Sequence, residues 1–470
     1  MMKNNQNSFI PLCRLLIAMP LISCLFGCSM FNPPKREGPP VSLPEKFSFY
    51  AENDSMPVQW WKYFGSAELD RLMNMAIADN FTIRIAAARL AQARAQVKKI
   101  DADRYPAVNA QADAAHERTR MKDGNKGSET IATEDYALGL AAGYEIDLWG
   151  RLASLKNAEA YEAIAAREDL EAAAVSIAAE VAGTWIDIIA VRNEIAILDK
   201  QIETNENLLK LQQIRMDNGL TSALDVSQQM ENVAATRAEM PLLLLRERIS
   251  LNALVLLLGS ATDDILISKK DLPELIPLPD TGIPADLLAR RPDVRAAGLR
   301  LNSADWQITT ARTNRLPSLN IMATASFSDS SMDLLFSNWL TSLTAGLTAP
   351  LLDAGKRVAE VERTRAVAEE RLAQYGETVA RAVKEVEDGL ARESNQRQYL
   401  MLLEKQILAA RLAMREARLR YLSGSSAFLN YLVEIQNVQR LDRRIIAVKA
   451  DLSKFRVSLY RALCGGWTMG

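Results

Sequence analysis

The chain has 470 residues, 56 basic and 58 acidic side chains and one histidine, and so sits near charge balance. No stretch dense in Lys and Arg offers a face to nucleic acid. Four cysteines are too few for a disulfide framework, and low aromatic content beside abundant alanine suits closely packed helices.

Residues 1–27 read as an export signal. Lys3 and Arg14 supply its positive end, and Leu15 to Phe26 is an apolar run too short to span a bilayer. The run ends in Leu25-Phe26-Gly27-Cys28, which resembles a bacterial lipoprotein cleavage box with Cys28 as the lipid acceptor. Cys24 is the second candidate, and an ordinary signal peptide with an incidental cysteine is the alternative. Ser29 beside Cys28 resembles lipoproteins sent on to the outer membrane.

Residues 28–57 are proline-rich and aperiodic, as expected of a lipid-anchored tether. Trp60, Trp61 and Phe64 precede a helix expected from about Ala67 to Arg104 and stopped by Tyr105-Pro106. The period then changes to two. Val108, Ala110, Ala112 and Ala114 alternate with Asn109, Gln111 and Asp113; after a polar tip from Met121 to Thr130, Tyr136, Leu138, Leu140, Ala142, Tyr144 and Ile146 alternate with small residues. Two strands of that kind suit a membrane-barrel hairpin, and the pattern alone equally suits a soluble hairpin packed on a core.

From Arg151 to Asp217 the chain contains no proline and only Gly183, which predicts one helix of about 100 Å. Val181, Ile188, Ile195, Ile202, Leu209 and Met216 recur every seven residues, the period of a coiled coil. Gly219 reverses the chain into a helix from about Ser222 to Leu258, with Val226, Val233, Met240 and Leu254 as its seam. Pro241 should bend it, and Leu242 to Leu245 should be buried between neighbours.

All of this recurs. After a connector at 260–284, the first repeat at 58–259 is answered by a second at 285–467, leaving a tail at 468–470. Strands expected around Leu319–Phe327 and Trp339–Leu347 lead to a second long helix with Val386, Leu400, Ile407, Met414 and Tyr421 on its heptad and Glu393 as the interruption. The turn at Ser423-Gly424 opens a last helix with seam Tyr431, Val438, Ile445, Leu452 and Leu459. The fold class is α+β, built by tandem duplication. Four strands cannot close a membrane barrel, so a ring of identical chains is required, of a number these patterns leave open.

Trp60-Trp61 with Phe64, Asp147-Leu148-Trp149-Gly150-Arg151, Arg290-Arg291-Pro292-Asp293, Pro350-Leu351-Leu352-Asp353-Ala354-Gly355 and the two glycine turns together resemble the outer-membrane efflux proteins of the TolC type, in their drug-efflux lipoprotein branch. The resemblance implies a homotrimer with a twelve-stranded barrel in the outer membrane and a periplasmic helical tunnel. It implies a periplasmic adaptor protein and an inner-membrane pump, of the proton-driven RND type, as partners. It marks Gly219, Leu220, Ser222, Gly424, Ser425 and Ser426 as adaptor-docking turns. It implies a gate in which Tyr421 ties to Asp225, Ser426 stands where the family has an arginine, and Asn430 and Val433 stand where some members carry pore aspartates.

Nothing points to an enzyme, a metal or a cofactor. His116 lies at a strand end without apparent catalytic partners. Glu168 and Asp169 read as a solvated helix face, and Met73 and Met75 fall on different faces of their helix. The function expected is a passive exit duct for small molecules such as drugs. The alternatives are the duct of a peptide or protein secretion system and a poreless periplasmic coiled-coil lipoprotein.

Overall fold

The structure, a computed structural model, describes residues 31–36, 38–47, 59–123, 127–261, 267–279, 281–282 and 284–463. Cys24, Cys28 and Cys464 lie outside them. A 3-10 turn at Trp60–Phe64 leads to α1 (Ala67–Asp79), α2 (Phe81–Ala102), β1 (Ala107–Asp123), β2 (Gly127–Ile146), α3 (Arg151–Asp217) and α4 (Ala223–Leu257). The second half contains α5 (Leu287–Arg290), α6 (Pro292–Thr313), β3 (Ser318–Asp329), β4 (Trp339–Thr348), α7 (Lys356–Leu422) and α8 (Phe428–Ala462). Helices α3 and α7 both run for 67 residues, and α4 and α8 both for 35.

The single helix expected from Ala67 to Arg104 is two. Asn80 leaves helical geometry, and its side chain accepts from the amides of Thr82 (2.8 Å) and Ile83 (3.2 Å), so it caps a new helix. The chain divides into two compact units, and neither is a sequence repeat. One comprises Met1–Pro40, Leu90–Ala166 and Ala297–Tyr375; the other Val41–Arg89, Arg167–Ala296 and Gly376–Gly470. Each draws on both halves because elements of one repeat pack against elements of the other.

In the first unit the strands form one antiparallel sheet in the order β1-β2-β3-β4. Its register aligns Ala112, Leu138 and Phe327, and likewise Ala110, Leu140 and Ala325. Residues i and i+2 share a face, so β3 and β4 extend the set through Leu319–Leu347, Ala323–Leu343 and Phe327–Trp339. One face is thus apolar across all four strands, and its Val108, Leu140, Trp339, Leu343 and Leu347 are exposed. The opposite face reads Asn109, Gln111, Ala141, Gly139, Thr324, Ser326 and Ser342. The Arg36 guanidinium also binds the buried Asp305 carboxylate in this unit at 2.7 Å, so that part of the expected tether is docked.

The second unit holds the main core: Trp60, Trp61 and Phe64 with Leu69, Leu72, Met73, Trp185, Ile188, Ile189, Leu254 and Tyr460. Trp60 stacks on Tyr460 at 5.6 Å, Phe64 meets Trp185 edge-on at 5.9 Å, and Trp185 Nε1 donates to Glu68 at 2.8 Å. The apolar window of α3 is long enough to cross a membrane, yet 72% of it is buried in protein, which makes it a core helix. Here the predicted seam of α3 needs correction. Val181 and Ile188 are buried, but Ile195, Ile202 and Leu209 are only half-buried and Met216 is exposed. The fully buried stripe lies three positions on, at Val191, Leu198, Asn205 and Gln212, also at steps of seven. A coiled-coil contact uses two heptad positions, and the apolar period reveals only the one that stays apolar.

Leu242 to Leu245 also depart from expectation. Only Leu243 is buried, while Leu242, Leu244 and Leu245 are exposed, because within one chain α4 has a neighbour on one side alone. Glu393, the break in the α7 heptad, is buried in a pair with Arg456 of α8, which also donates to the Ile276 carbonyl.

Candidate functional site

Two places in the fold carry residues singled out from the sequence. The first is where strand becomes helix. The Asp147 carboxylate accepts from the amides of Leu152 (3.1 Å) and Ala153 (2.8 Å) and caps α3, while Arg151 pairs with Glu145 at 2.6 Å. Trp149 Nε1 donates to the Pro317 carbonyl at 2.7 Å. In the second repeat Asp353 accepts from the amides of Gly355 (3.1 Å) and Arg357 (3.3 Å). Burial pushes the Asp353 carboxyl up, but these donors and the nearby Arg357 charge outweigh it and hold the group below its ordinary range. The Arg291-Pro292-Asp293 motif, in the second unit, is a brace. Arg291 binds Asp293 at 2.7 Å, Glu385 of α7 at 3.0 Å and the Ala462 carbonyl ending α8 at 2.9 Å.

The second place is the pair of turns. Gly219 has φ +70° and Gly424 φ +74°, a conformation that favours glycine. Each closes the same pair of hydrogen bonds: Gly219 N to Met216 O (2.8 Å) with Leu220 N to Arg215 O (2.8 Å), and Gly424 N to Tyr421 O (3.0 Å) with Ser425 N to Arg420 O (2.9 Å). Beyond the glycines the repeats diverge. Ser222 caps α4 in a full capping box, its Oγ accepting from Asp225 N at 3.2 Å while Asp225 Oδ2 accepts from Ser222 N at 3.1 Å. Helix α8 has Ala427 at its N-cap position and so no side-chain cap, and Asn430 Nδ2 instead donates to Ser426 Oγ at 2.9 Å. Leu220, Asn430 and Val433 are exposed.

The expected tie from Tyr421 to Asp225 does not form within the chain. Asp225 is taken by the capping box and by Thr221 Oγ1, which donates at 2.6 Å. Burial raises the pKa of Asp225, but the Thr221 and Ser222 bonds prevail and hold it below the ordinary range. The Tyr421 hydroxyl donates instead to Oε1 of fully buried Gln212 on α3, at 2.9 Å. Its ring is clamped by Phe428 (5.3 Å), Tyr431 (6.2 Å) and the Arg215 guanidinium (5.0 Å). So Tyr421 joins the two helical hairpins, by a partner the sequence reading missed.

Above Gln212 the contact between hairpins stays polar. Across it, Gln439 donates to Asn205 Oδ1 (3.0 Å) and Gln436 to Asn232 (2.9 Å), while within the first hairpin Asn205 donates to Thr236 Oγ1 (3.0 Å) and Gln229 to the Asn205 carbonyl (2.8 Å). Arg443 of α8 reaches Gln201 of α3 and Glu239 of α4. The Asn232 and Gln212 side-chain nitrogens remain without a partner, so the network is incomplete. Buried polar contacts left part-satisfied hold more weakly than an apolar seam. The signal that could have located them is the heptad of Leu198, Asn205 and Gln212, polar where a seam should be apolar.

A cavity of about 830 Å³ opens between the hairpins, floored by Leu208, Ile407, Ile435 and Val438 and rimmed by Arg411 and Lys449. His116 lies 3.4 Å from Glu134 on the sheet, and among the described residues no group of His, Cys, Asp and Glu is arranged to hold a metal.

The family described as outer membrane efflux protein matches this chain over residues 72–260 and 283–465. The pyoverdine export outer membrane protein OpmQ of Pseudomonas putida is 29% identical over 461 residues, covering 97% of this chain and 98% of its own. The outer membrane protein OprJ of Pseudomonas aeruginosa is 30% identical over 475 residues, with 97% and 96% covered. Among solved structures, the outer-membrane channel OprN superposes with a TM-score of 0.85 at 26% identity, covering 93% of this chain and 99% of that one.

Proposed function

The chain belongs to the outer membrane efflux protein family, and from that premise we propose that three copies form the passive exit duct of a tripartite efflux system. The observation that carries the assembly is the sheet: four strands, an apolar face running through all of them, and β1 and β4 each paired on one side only. An open edge in lipid leaves backbone groups unpaired at several kcal/mol each. Pairing β4 of one copy with β1 of the next removes every edge, and three copies give twelve strands. The exposed Leu242, Leu244 and Leu245 are then covered by the neighbouring copy.

The turns at Gly219 and Gly424 present Leu220, Ser222, Ser425 and Ser426 to a periplasmic adaptor, and an inner-membrane pump of the proton-driven RND type loads the duct. Substrates are small molecules. The relative OpmQ is named for pyoverdine export, which supports a solute rather than a protein as cargo. Asp225, Tyr421, Asn430 and Val433 belong to the closed end, where Asn430 and Val433 give a pore ring without net charge. Cys28 carries the lipid that adds a second hold on the outer membrane. Mass measurement in mild detergent with planar-bilayer conductance tests this reading. A trimer that conducts is expected; a monomer that conducts, or a trimer that forms no channel, refutes it.

A further inference from the structure

Exit of a substrate through the duct makes no use of the cavity between the helical hairpins. It lies in the second unit, with α3 on one side and α7 and α8 on the other, and holds about 830 Å³. That is the size of a site for a drug-sized molecule. Its floor is apolar: Ile407, Ile435 and Val438 are buried, and Leu208 and Met414 line it beside them. Two carboxylates reach the cavity, and both are taken. Asp442 pairs with Arg411 at 2.8 Å and Glu404 with Lys449 at 3.4 Å. Lys200 and Arg418 are left over, so the lining carries net positive charge although the chain as a whole is near balance.

The two spare cations are not together. From their places above the turns at Gly219 and Gly424, they lie roughly 20 Å apart along the groove at ~1.5 Å per residue. Arg418 has a second donor beside it, the Tyr431 hydroxyl. Burial pushes the pKa of Tyr431 up and the nearby Arg418 charge offsets only part of that, so the hydroxyl stays protonated and able to donate. Neither the guanidinium nor the hydroxyl has a hydrogen-bond or carboxylate partner among the described residues. A guanidinium and a phenol at one end of an apolar groove match a molecule with one anionic group and an apolar body. The walls belong to different hairpins, so the groove is complete only while the hairpins are together. Tyr431 also stacks on Tyr421 at 6.2 Å, and Tyr421 makes the bond to Gln212. A molecule seated against Tyr431 therefore binds the latched arrangement better than the parted one, and by linkage favours it.

We propose that this groove is a binding site for amphiphilic organic anions, with the anionic group at Arg418 and Tyr431, and that its occupation keeps the hairpins together. Binding stands independently of the channel reading; the effect on opening rests on it. The test uses the full-length assembly in lipid nanodiscs, with empty nanodiscs as the blank and bound probe counted by equilibrium dialysis. The probes are anilinonaphthalene sulfonate and phenylnaphthylamine, the same rings without the sulfonate. Saturable binding of the sulfonate is expected in the parent. Arg418→Gln should weaken it about fivefold, as for one partly exposed charge contact, and leave the uncharged probe unchanged. Thr204→Trp, which fills the groove from its exposed rim, should weaken both probes. Sulfonate binding unaltered by Arg418→Gln, or unaltered by Thr204→Trp, overturns the site. So does an assembly that takes up no sulfonate, since a second copy then covers the groove. Single-channel recording reads the coupling. At a hundred times its Kd the sulfonate should lower the open fraction of one latch by up to about 100-fold in the parent, and should not change it in Thr204→Trp. Saturable binding with an unchanged open fraction overturns the coupling. A parent that binds the sulfonate as described but never conducts sinks the channel reading and leaves the binding site standing.

Discussion

Tyr421→Phe removes one oxygen from the contact between the hairpins and leaves the ring in place. The lost atom is the donor to Gln212 Oε1 at 2.9 Å. Gln212 is fully buried and its Nε2 already lacks a partner, so the variant strands the whole amide. A buried polar group left unpaired costs ~1–3 kcal/mol. At ~1.4 kcal/mol per tenfold, that raises the open fraction of one latch by roughly 5- to 150-fold, while Phe428, Tyr431 and Arg215 still hold the ring. Single-channel recording of the isolated protein reads the open fraction directly. A double-mutant cycle identifies the partner. Gln212→Leu together with Tyr421→Phe exchanges both groups for apolar ones and should recover much of the closed state, giving a coupling well beyond the ~0.5 kcal/mol scatter of independent sites. Tyr421→Phe with Asp225→Asn should be additive, since Asp225 is engaged by Ser222 and Thr221. Coupling to Asp225 and none to Gln212 would refute the latch as drawn.

Four further outcomes are expected. Asn430→Asp should raise cation preference in reversal-potential measurements without altering assembly, because a ring of carboxylates replaces a neutral one; unchanged selectivity takes Asn430 off the pore. Arg456→Leu leaves Glu393 buried with only the exposed Arg397 at 2.8 Å, so a loss of ~3–5 kcal/mol is expected as faster unfolding in denaturant, largely recovered in Glu393→Leu/Arg456→Leu. The carboxyl of Asp225 is held below its ordinary range. Its contribution to the start of α4 is therefore complete above the unfolded aspartate value near 4 and is lost as pH falls through the lower folded value. Protection of the Ser222 and Asp225 amides, measured relative to the intrinsic exchange rate at each pH, should fall as pH drops below about 4, and unchanged protection would contradict the capping role. Cys28→Ser should abolish labelling by a radioactive fatty acid while the barrel still inserts; labelling that survives there and vanishes in Cys24→Ser would move the acceptor.

The sequence by itself determined the elements and their recurrence. Proline, glycine and period are local signals, so Tyr105-Pro106, Gly219, Gly424 and the alternation from Val108 to Ala114 place ends, turns and strands without reference to anything distant. The duplication was legible for the same reason, since a fixed offset between equal patterns needs no coordinates. Partners are not local. Only the tertiary structure decided that Tyr421 reaches Gln212, across 209 positions, rather than Asp225, and that the buried stripe of α3 passes through Asn205 and Gln212. A heptad read by hydrophobicity finds the seam that is apolar and overlooks the one satisfied by hydrogen bonds. Glu393 shows the same limit. It reads as an interruption along its own helix, and it becomes a buried ion pair because Arg456, 63 positions away, arrives beside it. Asn80 breaks a helix whose apolar pattern continues, because its carboxamide oxygen competes for the next helix's free amides.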